Sequence, residues 1–206
     1  MREQACWMKM NTAQRKVRAA LKRLVINEWR LLQTHVRGSP QPVSERAVAF
    51  QFGWHLRSLL EKTWDVDCEY NREGSGALTD IKRSPTARQP DLIVHRRGLA
   101  GPENNLLVLE LKTNDRQQIG NDGGNWRSVL GLMNRYRYRF GVFLDLRISF
   151  DGPMPSIDPH WSWAETPVGP RVEDEQPQPV YDKIRLRTLM MQGRNNERRR
   201  YSTTAS

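Results

Sequence analysis

Two apolar segments of this chain carry charge where a buried strand would exclude it. The first is Pro90–His95 (PDLIVH) and the second is Leu106–Lys112 (LLVLELK). Side chains alternate along a strand, so Glu110 and Lys112 share one face, and a hairpin-like return can bring Asp91 beside Glu110. Because an unpaired carboxylate inside a sheet costs several kcal/mol, the pattern predicts a site in which a metal ion or the lysine compensates Glu110.

The predicted cluster suits metal-assisted hydrolysis of a phosphodiester bond. Two carboxylates can hold Mg²⁺, with Mn²⁺ as a substitute, and the ion polarises a phosphoryl oxygen and acidifies a bound water. The ammonium of Lys112 can stabilise the transition state or orient the attacking water. Taken singly, Asp91 is equally a turn residue after proline, and Lys112 is equally a charge that protects an edge strand. Their combination with Glu110 favours the metal site.

Residue periodicity predicts the elements around these two segments. Apolar residues at helical spacing indicate an amphipathic helix over 12–35 and a second helix that starts after a Ser44 cap. Alternation indicates a strand over 64–72, and helical spacing returns over 126–138 before a last strand at 141–146. Turn residues between the two charged segments predict a hairpin that joins them.

The charged segments resemble the motif of the PD-(D/E)xK, or restriction-endonuclease-like, nucleases through Pro90-Asp91 and Glu110-Leu111-Lys112. The order of segments is similar too: a helix containing SERA, a strand containing VDCEYNR, the two charged strands, a helix and another strand. Segments similar to VDCEYNR, PDLIVHRRG and LLVLELK also occur in a group of small uncharacterised bacterial proteins. The resemblance covers roughly residues 44 to 146 and leaves the flanking thirds uncovered.

This resemblance implies both a fold and a set of site residues. The fold is α/β with a mixed sheet (α+β), built on a restriction-endonuclease-like α-β-β-β-α-β core with an extra N-terminal helix and an irregular C-terminal extension. The implied activity is a metal-dependent nuclease that hydrolyses phosphodiester bonds of nucleic acid, with DNA favoured. The catalytic residues would be Asp91, Glu110, Lys112 and Glu45, and the metal ligands Asp91, Glu110, the backbone carbonyl of Leu111, and Glu45 directly or through water.

Two of the acids have simpler explanations that stay open. Glu45 lies in the first turn of its predicted helix, where the helix dipole favours an acid. Related nucleases often carry an acid on this helix that reaches the metal, and this resemblance favours a role in the site. Glu69 is a further candidate metal ligand, but acids on the surface of an outer strand are common.

Charge divides the chain into three parts. The net charge is +10, of which residues 1–38 contribute +7 and residues 183–206 contribute +6, so the middle is mildly acidic. We expect a basic N-terminal helical extension over 1–38, a nuclease-like core domain over 39–150, and a C-terminal extension over 151–206. The C-terminal extension is Pro-rich, then Arg-rich, and is expected to be partly disordered. Basic arms can gather phosphates, although solubilising ends would have the same composition.

Basic side chains near the predicted core suggest how nucleic acid would be contacted. One group precedes the charged segment that begins at Pro90. The other lies on the helix predicted over 126–138, where Tyr136 and Tyr138 are suited to base stacking. An amphipathic helix end would look the same. The residues are Lys82, Arg83 and Arg88 in the first group, and Arg127, Arg135 and Arg137 in the second.

Other chemistries have little support in the sequence. The two cysteines and four histidines lack zinc-site spacing, and there is no phosphate-binding glycine loop followed by lysine. Without a recognisable signal peptide or membrane span, we expect a cytoplasmic protein. A homodimer that cuts both strands and a monomer that nicks one are both compatible with these residues.

Two functions other than a nuclease remain open at this point. The first is a catalytically silent nucleic-acid-binding module on the same fold, which would use the basic arms. The second is a partner-binding scaffold, whose amphipathic first helix would bury its apolar side on another chain.

Overall fold

The computed structural model describes residues 8–32, 35–36, 39–40, 43–70, 72–73, 80–81, 89–113, 122–149, 156–166 and 172–173. Within them the helices are α1 (Met10–Asn27), α2 (Glu45–Arg57) and α3 (Asp122–Tyr136), with short 3-10 helices at Trp29–Leu32 and Pro102–Asn104. The strands are β1 (His35–Val36), β2 (Ser39–Pro40), β3 (Asp65–Cys68), β4 (Arg72–Glu73), β5 (Asp80–Ile81), β6 (Leu92–His95), β7 (Asn105–Thr113), β8 (Phe140–Ser149), β9 (Ser156–Glu165) and β10 (Val172–Glu173). None of the helices in these ranges combines the length and apolar character needed to cross a membrane.

Six strands form one mixed sheet in the order β10-β9-β8-β7-β6-β3. Strands β7 and β8 pair in parallel and are joined through α3, whereas the other neighbours pair antiparallel. The predicted hairpin between the two charged segments is present as β6 and β7. The structure therefore confirms an α/β fold with a mixed sheet.

Helices cover both faces of the sheet. Leu107, Leu109 and Leu111 point into a core shared with α1 and α2, whereas Val108, between them in sequence, packs in a second core with α3. A strand buried on both faces has no polar side to leave in water, which explains the continuous apolar run in β7. In such a strand, Glu110 at 5 % exposure is an exception.

Helix α1 belongs to the main core of this chain. Its apolar face, including Val17, Leu21 and Leu24, is buried with α2 and the sheet. The helix ends at Asn27, before the end of the helix predicted over 12–35; a 3-10 turn follows at Trp29–Leu32, and His35 begins β1. Since α1 buries its apolar side within its own chain, the scaffold hypothesis, which required that side to be buried on another chain, is wrong on this point.

The expectation of an irregular C-terminal extension is wrong for residues 156–165. They form β9, a ten-residue strand that pairs with β8 along its whole length. Trp161 and Trp163 of this strand are buried in the main core. The hydrophobic burial of these side chains stabilises an ordered strand in a segment whose proline content indicated an irregular extension.

Gly141 sets how closely α3 packs on the sheet. A Cβ atom at this position would lie 2.1 Å from Met133 Sδ and 2.7 Å from Val129 Cγ1. We expect Gly141→Ala to lower the free energy of unfolding by about 1–3 kcal/mol, because α3 must shift or Met133 must leave its position. Urea unfolding followed by circular dichroism measures this change. A variant as stable as the wild type would mean that the α3 side chains repack without cost.

A polar cluster fastens edge strand β3 to β6. The Asp67 carboxylate lies 2.8 Å from His95 Nε2 and also bonds to Arg97. His95 ends β6 and is buried. Burial would raise the pKa of Asp67, but the hydrogen bonds from His95 and Arg97 outweigh it and lower this pKa.

The lowered pKa of Asp67 predicts a pH-dependent contribution to stability. A depressed carboxyl pKa stabilises the fold above the unfolded-state pKa, and this stabilisation is lost as pH falls through the folded-state pKa. We expect Asp67→Asn to lower the free energy of unfolding at pH 7 and to differ less from wild type at about pH 3, below the ordinary Asp pKa. Urea titrations at both pH values measure the difference. If the variant and the wild type differ in free energy of unfolding by the same amount at both pH values, the Asp67 carboxylate is not the source of the pH dependence.

Candidate functional site

Asp91 and Glu110 meet where β6 begins beside β7. Leu92 pairs with Leu109, so Asp91, one residue before β6, lies next to Glu110 in the hairpin register. Asp91 Oδ2 accepts a hydrogen bond from the backbone N–H of Leu111 at 2.8 Å. Glu110 is also close enough to lower the pKa of Asp91 through a side-chain hydrogen-bonding interaction. The hairpin thus places the two predicted carboxylates side by side.

Glu45 joins this group from the start of α2. The cap is formed by Ser44, whose Oγ accepts the N–H of Ala47 at 3.3 Å. Glu45 Oε2 lies 2.8 Å from Lys112 Nζ, and Glu45 Oε1 accepts the N–H of Thr113 at 3.1 Å. The first turn of α2 is therefore held against the end of β7. All four predicted catalytic residues lie in one network of contacts.

The environment of Asp91 disfavours its charged form. Burial raises the pKa of this carboxyl, and the charge of Glu45 acts in the same direction. The Leu111 N–H, the Lys112 ammonium and the hydrogen bond with Glu110 oppose the shift without cancelling it. Two carboxyl groups within hydrogen-bonding reach must share a proton or a cation.

Lys112 keeps its positive charge in this setting. Burial alone would lower its pKa, but the hydrogen bond to Glu45 and the charges of Glu45, Asp91 and Glu110 outweigh burial and raise it. An ammonium with a raised pKa is a poor proton acceptor at neutral pH, whereas it remains an effective electrostatic partner for a developing negative charge.

Glu69 and Leu111 have different positions around the site. Glu69 follows β3 with a positive φ of 50°, and its carboxylate lies 2.7 Å from Arg46 Nε. Its backbone N–H donates to the Asp91 carbonyl at 3.3 Å, so its backbone borders the site while its carboxylate is engaged by Arg46. Leu111 buries its side chain in the main core and gives its N–H to Asp91. Its carbonyl as a metal ligand remains a prediction.

The predicted nucleic-acid contacts that fall within the described residues are Arg127, Arg135 and Arg137, on or just after α3. Arg137 and Arg135 lie at the end of α3, where Arg139 N–H bonds to the Asn105 carbonyl at the start of β7. Lys112 lies seven residues after Asn105, which corresponds to about 23 Å of extended strand, so Arg135 and Arg137 are remote from the site. Arg127 is exposed in the first half of α3. Lys82, Arg83 and Arg88 lie outside the described residues.

The expectation that Tyr136 and Tyr138 stack on bases is wrong. Both side chains are buried, at 4 % and 0 % exposure, in the core between α3 and the sheet. Burial of their large rings stabilises this second core. The amphipathic-helix alternative describes this segment correctly.

Asp145 is a residue of this region that the sequence prediction left out. It is the in-register neighbour of Lys112 on parallel strand β8, so the two side chains share a face of the sheet. Its carboxylate is largely buried and accepts a hydrogen bond from Arg147 Nε at 2.9 Å. The signal was available, because Asp145 interrupts an apolar strand in the same way as Glu110.

No family model, curated protein or solved structure matches this chain. Its site must therefore be interpreted from its own residues. These residues combine two adjacent carboxyl groups, a cationic lysine and an acid that holds the lysine.

The donor set fits a hydrated Mg²⁺ ion better than a metal enclosed by protein ligands. Across the described ranges, no three His, Cys, Asp or Glu side chains form a group that could enclose a metal ion. Mg²⁺ is usually bound through one or two carboxylates, with waters and substrate phosphates completing its octahedron. Asp91 and Glu110 provide such a pair, and a shared cation would relieve the cost of two adjacent carboxylates. The residues present therefore fit the metal that the resemblance implies.

Proposed function

We propose that this protein is a metal-dependent nuclease that hydrolyses phosphodiester bonds of nucleic acid. The observation that carries the proposal is the contact network at the end of β7, in which Asp91 and Glu110 are adjacent and Lys112 is fixed by Glu45. Carboxylates beside a fixed ammonium match the charge that develops when a phosphodiester is attacked.

Asp91 and Glu110 would hold Mg²⁺, with the Leu111 carbonyl as an additional ligand. When bound, the ion supplies a Lewis acid for the phosphoryl oxygen and lowers the pKa of a coordinated water. Asp91 is oriented for this by its hydrogen bond from the Leu111 N–H. A carboxylate positioned by the backbone loses little rotamer entropy on binding the ion.

Lys112 would stabilise negative charge on the phosphoryl group. Its ammonium is held 2.8 Å from Glu45 Oε2, and Glu45 is itself anchored by the Thr113 N–H. This assigns Glu45 a positioning role toward Lys112. Because the pKa of Lys112 is raised, its role is electrostatic rather than proton abstraction.

The order of elements supports the same proposal. Helix α2, strands β3, β6 and β7, helix α3 and strand β8 follow one another along the chain, with β4 and β5 inserted after β3. This order is similar to the α-β-β-β-α-β core of PD-(D/E)xK nucleases. DNA is the favoured substrate, and the basic residues of 1–38 and 183–206 would add sequence-independent attraction to phosphates.

Cleavage assays with controlled metal content test this proposal. Supercoiled plasmid, linear duplex, single-stranded DNA and RNA are incubated with purified protein in Mg²⁺, Mn²⁺ or EDTA. We expect cutting of at least one substrate in Mg²⁺ or Mn²⁺ and none in EDTA. Salt-sensitive binding without cutting in any metal would replace the nuclease proposal with the silent binding module.

A further inference from the structure

Two aromatic side chains are exposed on the outer side of α2. Phe50 is 57 % exposed and Trp54 is 68 % exposed; the other large exposed hydrophobic side chain in the described ranges is Leu99, in the loop before β7. Residues four apart are neighbours on a helix surface. Phe50 and Trp54 therefore form one aromatic pair, opposite the buried side of α2. Isolated exposed hydrophobic residues need no explanation, but an adjacent aromatic pair suggests a binding surface.

Guanidinium groups flank this aromatic pair at both ends. Arg46 lies one turn before Phe50 and is 83 % exposed, with Nε bonded to Glu69. Arg57 lies three residues after Trp54. From α1, Arg23 donates to the hydroxyl of Ser58, one turn beyond Trp54, at 2.7 Å. Cations thus border both ends of a surface whose centre is aromatic.

We propose that Phe50 and Trp54 stack with bases of single-stranded nucleic acid, while Arg46, Arg57 and Arg23 contact its phosphates. Aromatic rings beside basic groups are the combination that binds single strands, because every base has a face that can stack. In a duplex these faces are already stacked, so the surface selects unpaired nucleotides. An apolar protein partner would not need guanidinium groups at both ends of the surface.

The position of α2 connects this surface to the candidate site. The helix begins at Glu45, which holds Lys112. Phe50 and Trp54 lie about 8 Å and 14 Å further along the helix axis at 1.5 Å per residue. Five and nine residues also turn about 140° and 180° around the helix axis, so the rings lie on the far side of α2 from Glu45, and a bound single strand would pass around the start of the helix to reach Lys112. This inference about the substrate rests on the proposed nuclease function. It implies that the substrate of the nuclease contains a single-stranded segment.

Binding can be measured without cleavage, which separates this inference from the nuclease proposal. The probes are a labelled single-stranded DNA of about 12 nucleotides and the corresponding duplex. Fluorescence anisotropy in EDTA measures the affinity of the protein for each probe. We expect Phe50→Ala with Trp54→Ala to weaken single-strand binding at least about tenfold and duplex binding far less. The matched control is Leu99→Ala, which removes an exposed hydrophobic side chain elsewhere and should leave both affinities unchanged. Phe50→Tyr with Trp54→Phe should retain binding because both rings remain.

Two results would overturn the inference. One is unchanged single-strand affinity in the double alanine variant, whether or not the wild type cleaves in Mg²⁺. The other is a wild-type dimer in sedimentation that the same variant converts to monomer, which would assign the surface to a second copy of the chain. Another outcome is that the wild type binds single strands without cleaving them, while the double alanine variant loses this binding. That result would support the proposed binding surface and contradict the nuclease proposal. Circular dichroism of each variant verifies its fold.

Discussion

Replacing Lys112 by methionine should lower the rate of Mg²⁺-dependent cleavage about a thousandfold. Methionine keeps much of the length and apolar character of the lysine stem but removes the ammonium held by Glu45. The loss would appear in kcat, because the charge that Lys112 compensates develops only in the transition state. Single-turnover cleavage of end-labelled substrate measures it.

The matched control for this variant is Lys62→Met. Lys62 is exposed in the turn after α2 and carries the same charge. Its loss should change cleavage less than about twofold, apart from a slight fall in salt-sensitive binding. If both methionine variants cleave like wild type, Lys112 has no part in the reaction. If both lose activity equally, net charge rather than position is responsible.

The second large effect is expected for Asp91→Asn, which should abolish metal-dependent cleavage without destabilising the fold. Asparagine can still accept the Leu111 N–H but cannot supply a carboxylate to Mg²⁺. Burial raises the pKa of Asp91 in the folded protein, so its ionised form is disfavoured there. The free-energy cost of keeping Asp91 ionised in the folded protein is fully present above the folded-state pKa and absent below the unfolded-state pKa. At pH 7 the variant should be at least as stable as wild type.

Thermal unfolding with and without Mg²⁺ separates the metal effect of Asp91 from its structural effect. Mg²⁺ should raise the unfolding temperature of wild type, because it binds the folded state, and should not raise that of Asp91→Asn. A wild type that does not respond to Mg²⁺, or a variant that responds equally, would place the ion elsewhere. A variant that is destabilised at pH 7 would show that the charged carboxylate is needed for folding.

The part of the site within the β6–β7 hairpin could be predicted because strand alternation is local. Glu110 and Lys112 are two residues apart in one strand, and Asp91 enters through a short connection. Glu45 could not be placed in this way, since its contact with Lys112 spans 67 positions of the chain. Only the resemblance to a nuclease family suggested it, while the helix dipole explained the same residue equally well.

The sequence does not predict strand β9, because the proline content of this segment indicates an irregular extension although its apolar residues alternate. Ile157, Pro159, Trp161 and Trp163 are buried at every second position, which is a strand pattern. Proline is excluded from central strands because it lacks an N–H. Within the described residues, strand β10 pairs with β9 at Trp163 and Ser162, so in this part of the chain Pro159 faces no partner strand on that side. A position without a partner strand tolerates proline.

The burial of α1 in the main core limits how the basic N-terminal segment can be studied. Deleting residues 1–38 to remove its charge would also remove Val17, Leu21 and Leu24 from the core. The truncated protein would lose several kcal/mol of burial energy and would unfold, and its loss of activity would say nothing about phosphate attraction. The contribution of the segment has to be measured by neutralising exposed side chains such as Arg15 and Lys22, one charge at a time.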